Sequence, residues 1–468
     1  MLCNARLVYS DGLVVEGGLV CRDGRIVTVF EGGGPSGEAI DAGGRFVLPG
    51  LIDPHVQLTP QPDWQHYASE TRSAALGGVT TIIKMHRDLD GYDAESFEEE
   101  VAAAETRAHI DFCFHLALMT SGQIARTREF ADDFSITSFK LFTAYKGEEG
   151  YRINIQGVDD GLLYEAFKQI AGVPGGVALV HAENQELAAH ALERVQAEGR
   201  DDLPAFADSR PWIVEAEAVR RSSFLAKTAG CPLYIVHVTS RQGLDALPAE
   251  RRSGTRLYVE TEMHYLTDTK ETSAGALAKV IPPLREVADR EALWEAVISG
   301  ELDTLGSDHL PALRERKMGP IWDAQLGFAG VATILPALLD EGVNRRGLPL
   351  ARIAGLCSEA PARIFGLGQK GALLPGKDAD FVIVDLDLTR EVTAEMLGSA
   401  SDFSIYEGRR LRGWPVVTVC RGEVVMRDGI CVGAEGHGRF LRRKRTEDQD
   451  TARAAPNAAA TPTTGGRT

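Results

Sequence analysis

Eight apolar runs of strand length recur along the middle of the chain, at 50–57, 78–85 (GVTTIIKM), 111–119 (DFCFHLALM), 135–142 (SITSFKLF), 175–181, 232–238, 256–263 and 302–308. Segments of helical texture lie between them, among them 94–107, 159–171, 183–198, 213–229 and 290–299. Near-continuous apolar strands alternating with helices are what a parallel sheet covered on both faces requires. Eight such units in roughly 300 residues predict an α/β fold, a TIM (β/α)8 barrel. A doubly wound open sheet is the alternative. It is weakened because the G-x-G-x-x-G phosphate fingerprint is missing after the early strands.

The flanks have a different texture. Residues 1–48 read as short β-branched strands with Asp-Gly turns at Asp11–Gly12 and Asp23–Gly24, a strong hairpin signal. Residues 369–440 return to that texture in GALLPGKDADFVIVDLD and WPVVTVCRGEVVMRDG. The expected organisation is therefore a composite β-sandwich from 1–48 and 369–440, with the barrel, 49–368, inserted between them. The tail 441–468 is nearly devoid of apolar residues and is expected to be disordered, with its RRKR cluster a solvated run.

A length of 468 residues fits one large barrel with an accessory domain. The net charge of -17 disfavours nucleic acid as a partner. Seven cysteines without CxxC spacing suggest reduced thiols in a cytoplasm. No signal peptide and no membrane-length apolar run is visible.

In such a barrel, polar residues at the C-terminal strand ends read as catalytic. VLPGLIDPHVQLT ends the first strand with His55 and Gln57, two residues apart and so on one side. Alone this is an ordinary strand end with a satisfied histidine. The fourth strand supplies Lys140, the fifth His181, the sixth His237 and the eighth Asp308. Imidazole and carboxylate ligands suit zinc, iron or manganese, with zinc the first choice. Lys140 is anomalous, because an ammonium has no lone pair and is costly in an apolar run. Either it pairs with a carboxylate or it is modified.

PGLIDPH, GGVTTII, SFKLFTAYKG, HAEN, HVTS, GSDH, the PPLR at 282–285 and APARIFGL at 360–367 together resemble the cyclic-amide branch of the amidohydrolase superfamily. That branch holds dihydropyrimidinase, hydantoinase, allantoinase and dihydroorotase. The resemblance spans about residues 2–430 and implies a TIM barrel with a β-sandwich. It implies that Lys140 takes up CO2 as a carbamate bridging two divalent metals. One would be held by His55, Lys140 and Asp308, the other by Lys140, His181 and His237. A hydroxide held between the metals would attack the amide carbonyl. Asp308 would shuttle the proton to the leaving nitrogen, and Tyr145 would stabilise the oxyanion. The substrate would be a small cyclic amide, imide or ureide, and the assembly a homotetramer or dimer.

The chain departs from that pattern in several places. Gln57 stands where the second histidine of HxH belongs, so the first metal site is expected to be weakened, leaving two metals or one. Thr59 replaces the arginine that grips the carboxylate in dihydroorotases. Ile281 and Leu326 replace polar ring contacts, predicting a more apolar pocket. Lys84 and His86 stand where an acid and a proline are usual, with a substrate role and a loop role both open. The alternative function is a non-catalytic or single-metal relative, serving as a scaffold or acting on another substrate by lactone hydrolysis or deamination. Retention of Lys140, His181, His237 and Asp308 together favours the hydrolase.

Overall fold

The chain, seen in a computed structural model that describes residues 1–33, 39–58, 64–151 and 153–443, opens with five strands. These are β1 (Leu2–Val8), β2 (Val14–Arg22), β3 (Arg25–Glu31), β4 (Ile40–Asp41) and β5 (Phe46–Pro49). The predicted Asp23–Gly24 turn joins β2 to β3. Both residues have positive φ, 51° and 76°, as a tight two-residue hairpin turn requires.

Chain then passes from this β unit into the barrel through Gly50. A Cβ there would lie 2.3 Å from Thr80 Oγ1, so only glycine fits the crossing. The barrel strands are β6 (Leu51–Val56), β7 (Val79–His86), β8 (Asp111–Ala117), β9 (Ser138–Phe142), β10 (Val177–His181), β11 (Leu233–Ile235), β12 (Leu257–Glu262) and β13 (Thr304–Gly306). They pair in parallel in sequence order. Each falls within or against one of the eight expected runs, and every residue in them is buried. The cylinder closes at a parallel bridge between Val56 and His309, reinforced by Gln57 N–H donating to His309 O at 2.7 Å. The fold is thus the TIM barrel and not the open sheet.

Four further strands follow: β14 (Phe381–Glu391), β15 (Arg410–Cys420), β16 (Glu423–Arg427) and β17 (Ile430–Cys431). Strand β14 pairs antiparallel with β5, Phe381 opposite Pro49 and Val384 opposite Phe46. The two ends of the chain therefore share one nine-stranded mixed sheet. It carries its own core of Leu2, Leu7, Leu19, Val47, Phe381, Ile383 and Val419, while a larger core fills the barrel and its helical coat.

The tail departs from expectation at its start. Phe440 bridges to Phe112 and packs on Phe97 and Phe114. Arg443 is fully buried, donating to Ser138 Oγ at 2.8 Å and to the Phe114 carbonyl. The basic cluster is therefore not a solvated run at Arg443: its guanidinium satisfies acceptors under the barrel. Residues 444–468 and Thr59 lie outside the described residues.

Candidate metal centre and substrate pocket

The C-terminal ends of the barrel strands open into a cavity of about 790 Å³. His55, Gln57, Lys140, Tyr145, His181, His237, Ile281, Asp308 and Leu326 all line it. Strand β6 ends next to His55, β10 ends on His181, and His237 and Asp308 lie two residues beyond β11 and β13. Tyr145, His237 and Asp308 hold left-handed backbone conformations, φ 64°, 42° and 45°. Non-glycine residues in this region are strained and cluster at functional sites.

Sequence and geometry meet in the short loops after these strands. The asparagine of HAEN, Asn184, caps the helix Gln185–Ala197 by accepting from Leu187 N–H. The serine of HVTS, Ser240, caps the helix Arg241–Arg252 by accepting from Gly243 N–H. Each histidine thus sits between a buried strand and a capped helix, which fixes its backbone.

His181 and His237 face one another, Nδ1 of the first 2.9 Å from Nε2 of the second. Nε2 of His181 donates to Glu183 at 2.9 Å, leaving its Nδ1 lone pair directed at His237. Burial lowers the pKa of both rings, and of His237 the more. Two neutral imidazoles at this distance share one N–H···N hydrogen bond, and both of its nitrogens are ones a metal could take in its place. The third histidine is also held by a carboxylate. His55 Nδ1 lies 2.9 Å from Glu260 Oε1, which turns Nε2 toward Asp308 Oδ1 at 3.3 Å. A carboxylate on the far ring nitrogen is the usual brace of a metal-ligating histidine.

Lys140 lies between these groups, 1% exposed. Among the described residues its ammonium has no hydrogen bond or ion pair. Burial brings its pKa down from 10.5 to about 8, against the opposing fields of Glu260 and Asp308. The three buried histidines and Asp308 are a donor set that fits a divalent metal, with Lys140 beside them.

Gln57 takes part differently. Its side-chain N–H donates to Asp308 Oδ1 at 2.8 Å and its carbonyl oxygen accepts from Arg87 at 2.8 Å. Lys84 and His86 do not reach the pocket. Both pair with Glu100 on the helix Ala94–Glu105, outside the barrel wall. Strand alternation places Met85 and Arg87 inside instead. Arg87, His66 and Asp323 line the pocket together with Ile281 and Leu326.

Sequence reading missed the residues that brace the site. Glu183 accepts from Arg210 at 2.8 Å as well as from His181, and its pKa falls to about 2, because the Arg210 charge and the His181 hydrogen bond outweigh burial. Glu215 accepts from the backbone and hydroxyl groups of Thr239 and Ser240, clamping the loop after His237. The arginine of PPLR, Arg285, donates to Thr239 Oγ1 at 2.9 Å. Asp53 accepts from His55 N–H and Ser307 N–H, tying the first strand to the last, and burial pushes its carboxyl up to about 6. Glu262 lies 3.3 Å from His55 Nδ1, and burial beside Glu260 pushes its carboxyl up.

The model of the amidohydrolase family matches residues 46–425. An allantoinase from Rubrobacter xylanophilus is 37% identical over 95% of this chain and 99% of its own length. An L-hydantoinase from Paenarthrobacter aurescens is 33% identical over 95% and 98%. A crystal structure of a D-hydantoinase superposes with a TM-score of 0.87 at 33% identity, covering 95% of this chain and 98% of that one. An L-hydantoinase (dihydropyrimidinase) from Arthrobacter aurescens does so with a TM-score of 0.87 at 33% identity, over 94% and 99%.

Proposed function

The chain belongs to the amidohydrolase family, in its cyclic-amidase branch, and from that premise we propose that it is a metal-dependent hydrolase opening a cyclic amide, imide or ureide. The observation that carries this reading is Lys140. It is a fully buried lysine without a counter-ion, beside two neutral histidines whose ring nitrogens meet at 2.9 Å.

With a pKa of about 8, a useful fraction of Lys140 is the free amine near neutral pH. Its lone pair bonds to the carbon of CO2 and it loses one N–H proton to solvent. The product is an anionic carbamate, which removes the conflict between a lysine and a cation. His55 and Asp308 on one side, His181 and His237 on the other, and the Lys140 carbamate between them would hold divalent metal, zinc first. When bound, the metal supplies Lewis-acid charge and lowers the pKa of water.

The chain's own groups do the rest. Asp308 accepts the proton of the attacking water and passes it to the leaving ring nitrogen. Tyr145, whose ring packs against His181 at 4.8 Å between centroids, presents its hydroxyl to the developing oxyanion. The cavity around them orients the ring over these groups.

Gln57 favours a single-metal form of the same reading. Its carbonyl is taken by Arg87, so the first position lacks the imidazole that a second histidine would bring. Metal content measured alongside opening of hydantoin, allantoin and dihydrouracil tests the proposal. Metal-loaded protein that opens none of them overturns it.

A further inference from the structure

We propose that Arg87 anchors an anionic substituent of the substrate, so that this pocket is built for a ring carrying a carboxylate; this rests on the hydrolase reading above. Arg87 follows β7 and lines the cavity beside Gln57. It spends one N–H on Gln57 Oε1, at 2.8 Å. Among the described residues no carboxylate lies within ion-pair distance of it, and Asp308 acts on it only at longer range.

Guanidinium cannot shed its charge under ordinary conditions. Burial lowers the pKa of Arg87, against the weaker fields of Tyr145, Tyr92 and Asp308. By contrast, Lys370 contacts Asp111 and Asp380, and Arg210 contacts Glu183. A half-buried charge left unpaired by the protein is costly, and a ligand carboxylate offsets that cost on binding. The planar fork of an arginine matches both oxygens of a carboxylate. Apolar Ile281 and Leu326 leave the pocket without a competing charge at those two positions.

The test compares matched rings, hydantoin against hydantoin-5-acetate and dihydrouracil against dihydroorotate, on metal-loaded wild type, Arg87→Lys and Arg87→Met. Wild type should favour the carboxylated member of at least one pair. Arg87→Met should lower that preference by about 10- to 100-fold through KM, the loss expected for one charged hydrogen bond, with Arg87→Lys between. Using the ratio within a pair cancels effects transmitted through Gln57 to both substrates. A preference for neutral rings in wild type, or a ratio unchanged in Arg87→Met, overturns the proposal. If wild type opens no ring of either kind, the hydrolase reading fails, and calorimetric titration with hydantoin-5-acetate decides on Arg87. Binding that is lost in Arg87→Met supports the anchor, and no binding to wild type rejects it.

Discussion

Gln57 donates its amide N–H to Asp308 at 2.8 Å across the seam where the first and last barrel strands meet. The oxygen of the same amide is held by Arg87, which fixes which end faces Asp308. Gln57 therefore acts as a strut for the aspartate, with its oxygen turned away from the centre. A histidine in its place would offer a lone pair where the amide offers a hydrogen.

Replacing Gln57 by histidine should raise metal content per chain toward one additional ion. Imidazole is the better ligand for zinc and its neighbours in the first transition series. Elemental analysis of both proteins, purified without added metal or chelator, checks this. Equal content would show that Gln57 does not limit the first site.

Lys140→Ala should remove metal and turnover together. Loss of a partner one shell further out costs about 10- to 100-fold in metal affinity, so loss of a bridging group should exceed that. Alanine here also leaves His181 and His237 with one ligand fewer beside them. Metal content and ring-opening rate are the readouts. Normal turnover in this variant would sink the carbamate bridge.

A third prediction concerns the joint between barrel and sheet. Asp111 on β8, Asp378 and Asp380 form a buried acidic group that looks like a cation site, but Lys370 already fills it at 2.5, 3.1 and 2.6 Å. Arg421 pairs with Asp111 as well. Burial opposes the Lys370 charge, yet Asp380 and its neighbours hold its pKa above the ordinary value. Lys370→Met would strand buried carboxylates, at a cost on the order of 3–5 kcal/mol. A clearly lowered midpoint in thermal or denaturant unfolding is expected, and an unchanged midpoint would show that Arg421 alone suffices.

Much of the barrel was legible because strands buried on both faces must be apolar throughout, and that texture survives in sequence. The ligand candidates were legible for a related reason: a polar residue closing such a run is conspicuous, as at His181 and His237. The braces were not. Glu215, Arg210 and Arg285 lie on helices and loops, where charged residues are ordinary, and only the fold brings them to Thr239 and Glu183. Arg87 was hidden by phase. Lys84 and His86 drew attention as unusual residues, but alternation along β7 turns them to Glu100 and turns Arg87 inward. Arg443 was hidden by company, one buried arginine within a run of basic residues.

The last prediction follows from the Lys140 amine. Its folded-state pKa, about 8, lies below the ordinary 10.5 because burial disfavours the ammonium. Below pH 8 the ammonium predominates and has no lone pair for CO2; above it the amine predominates. Reconstitution of metal-free protein with zinc and bicarbonate should therefore speed up with rising pH. The rise should be about tenfold per unit well below 8 and should flatten above it, once corrected for the fraction of dissolved CO2. Linkage gives the same sign for stability of the metal-free protein. Between 8 and 10.5 the unfolded chain binds the proton that the folded chain has released, so stability rises across that window. Stopped-time assays of recovered activity, with metal content measured in parallel, follow the first effect, and melting temperature against pH follows the second. A reconstitution rate independent of pH from 6 to 8 would mean that metal capture does not wait on the lysine.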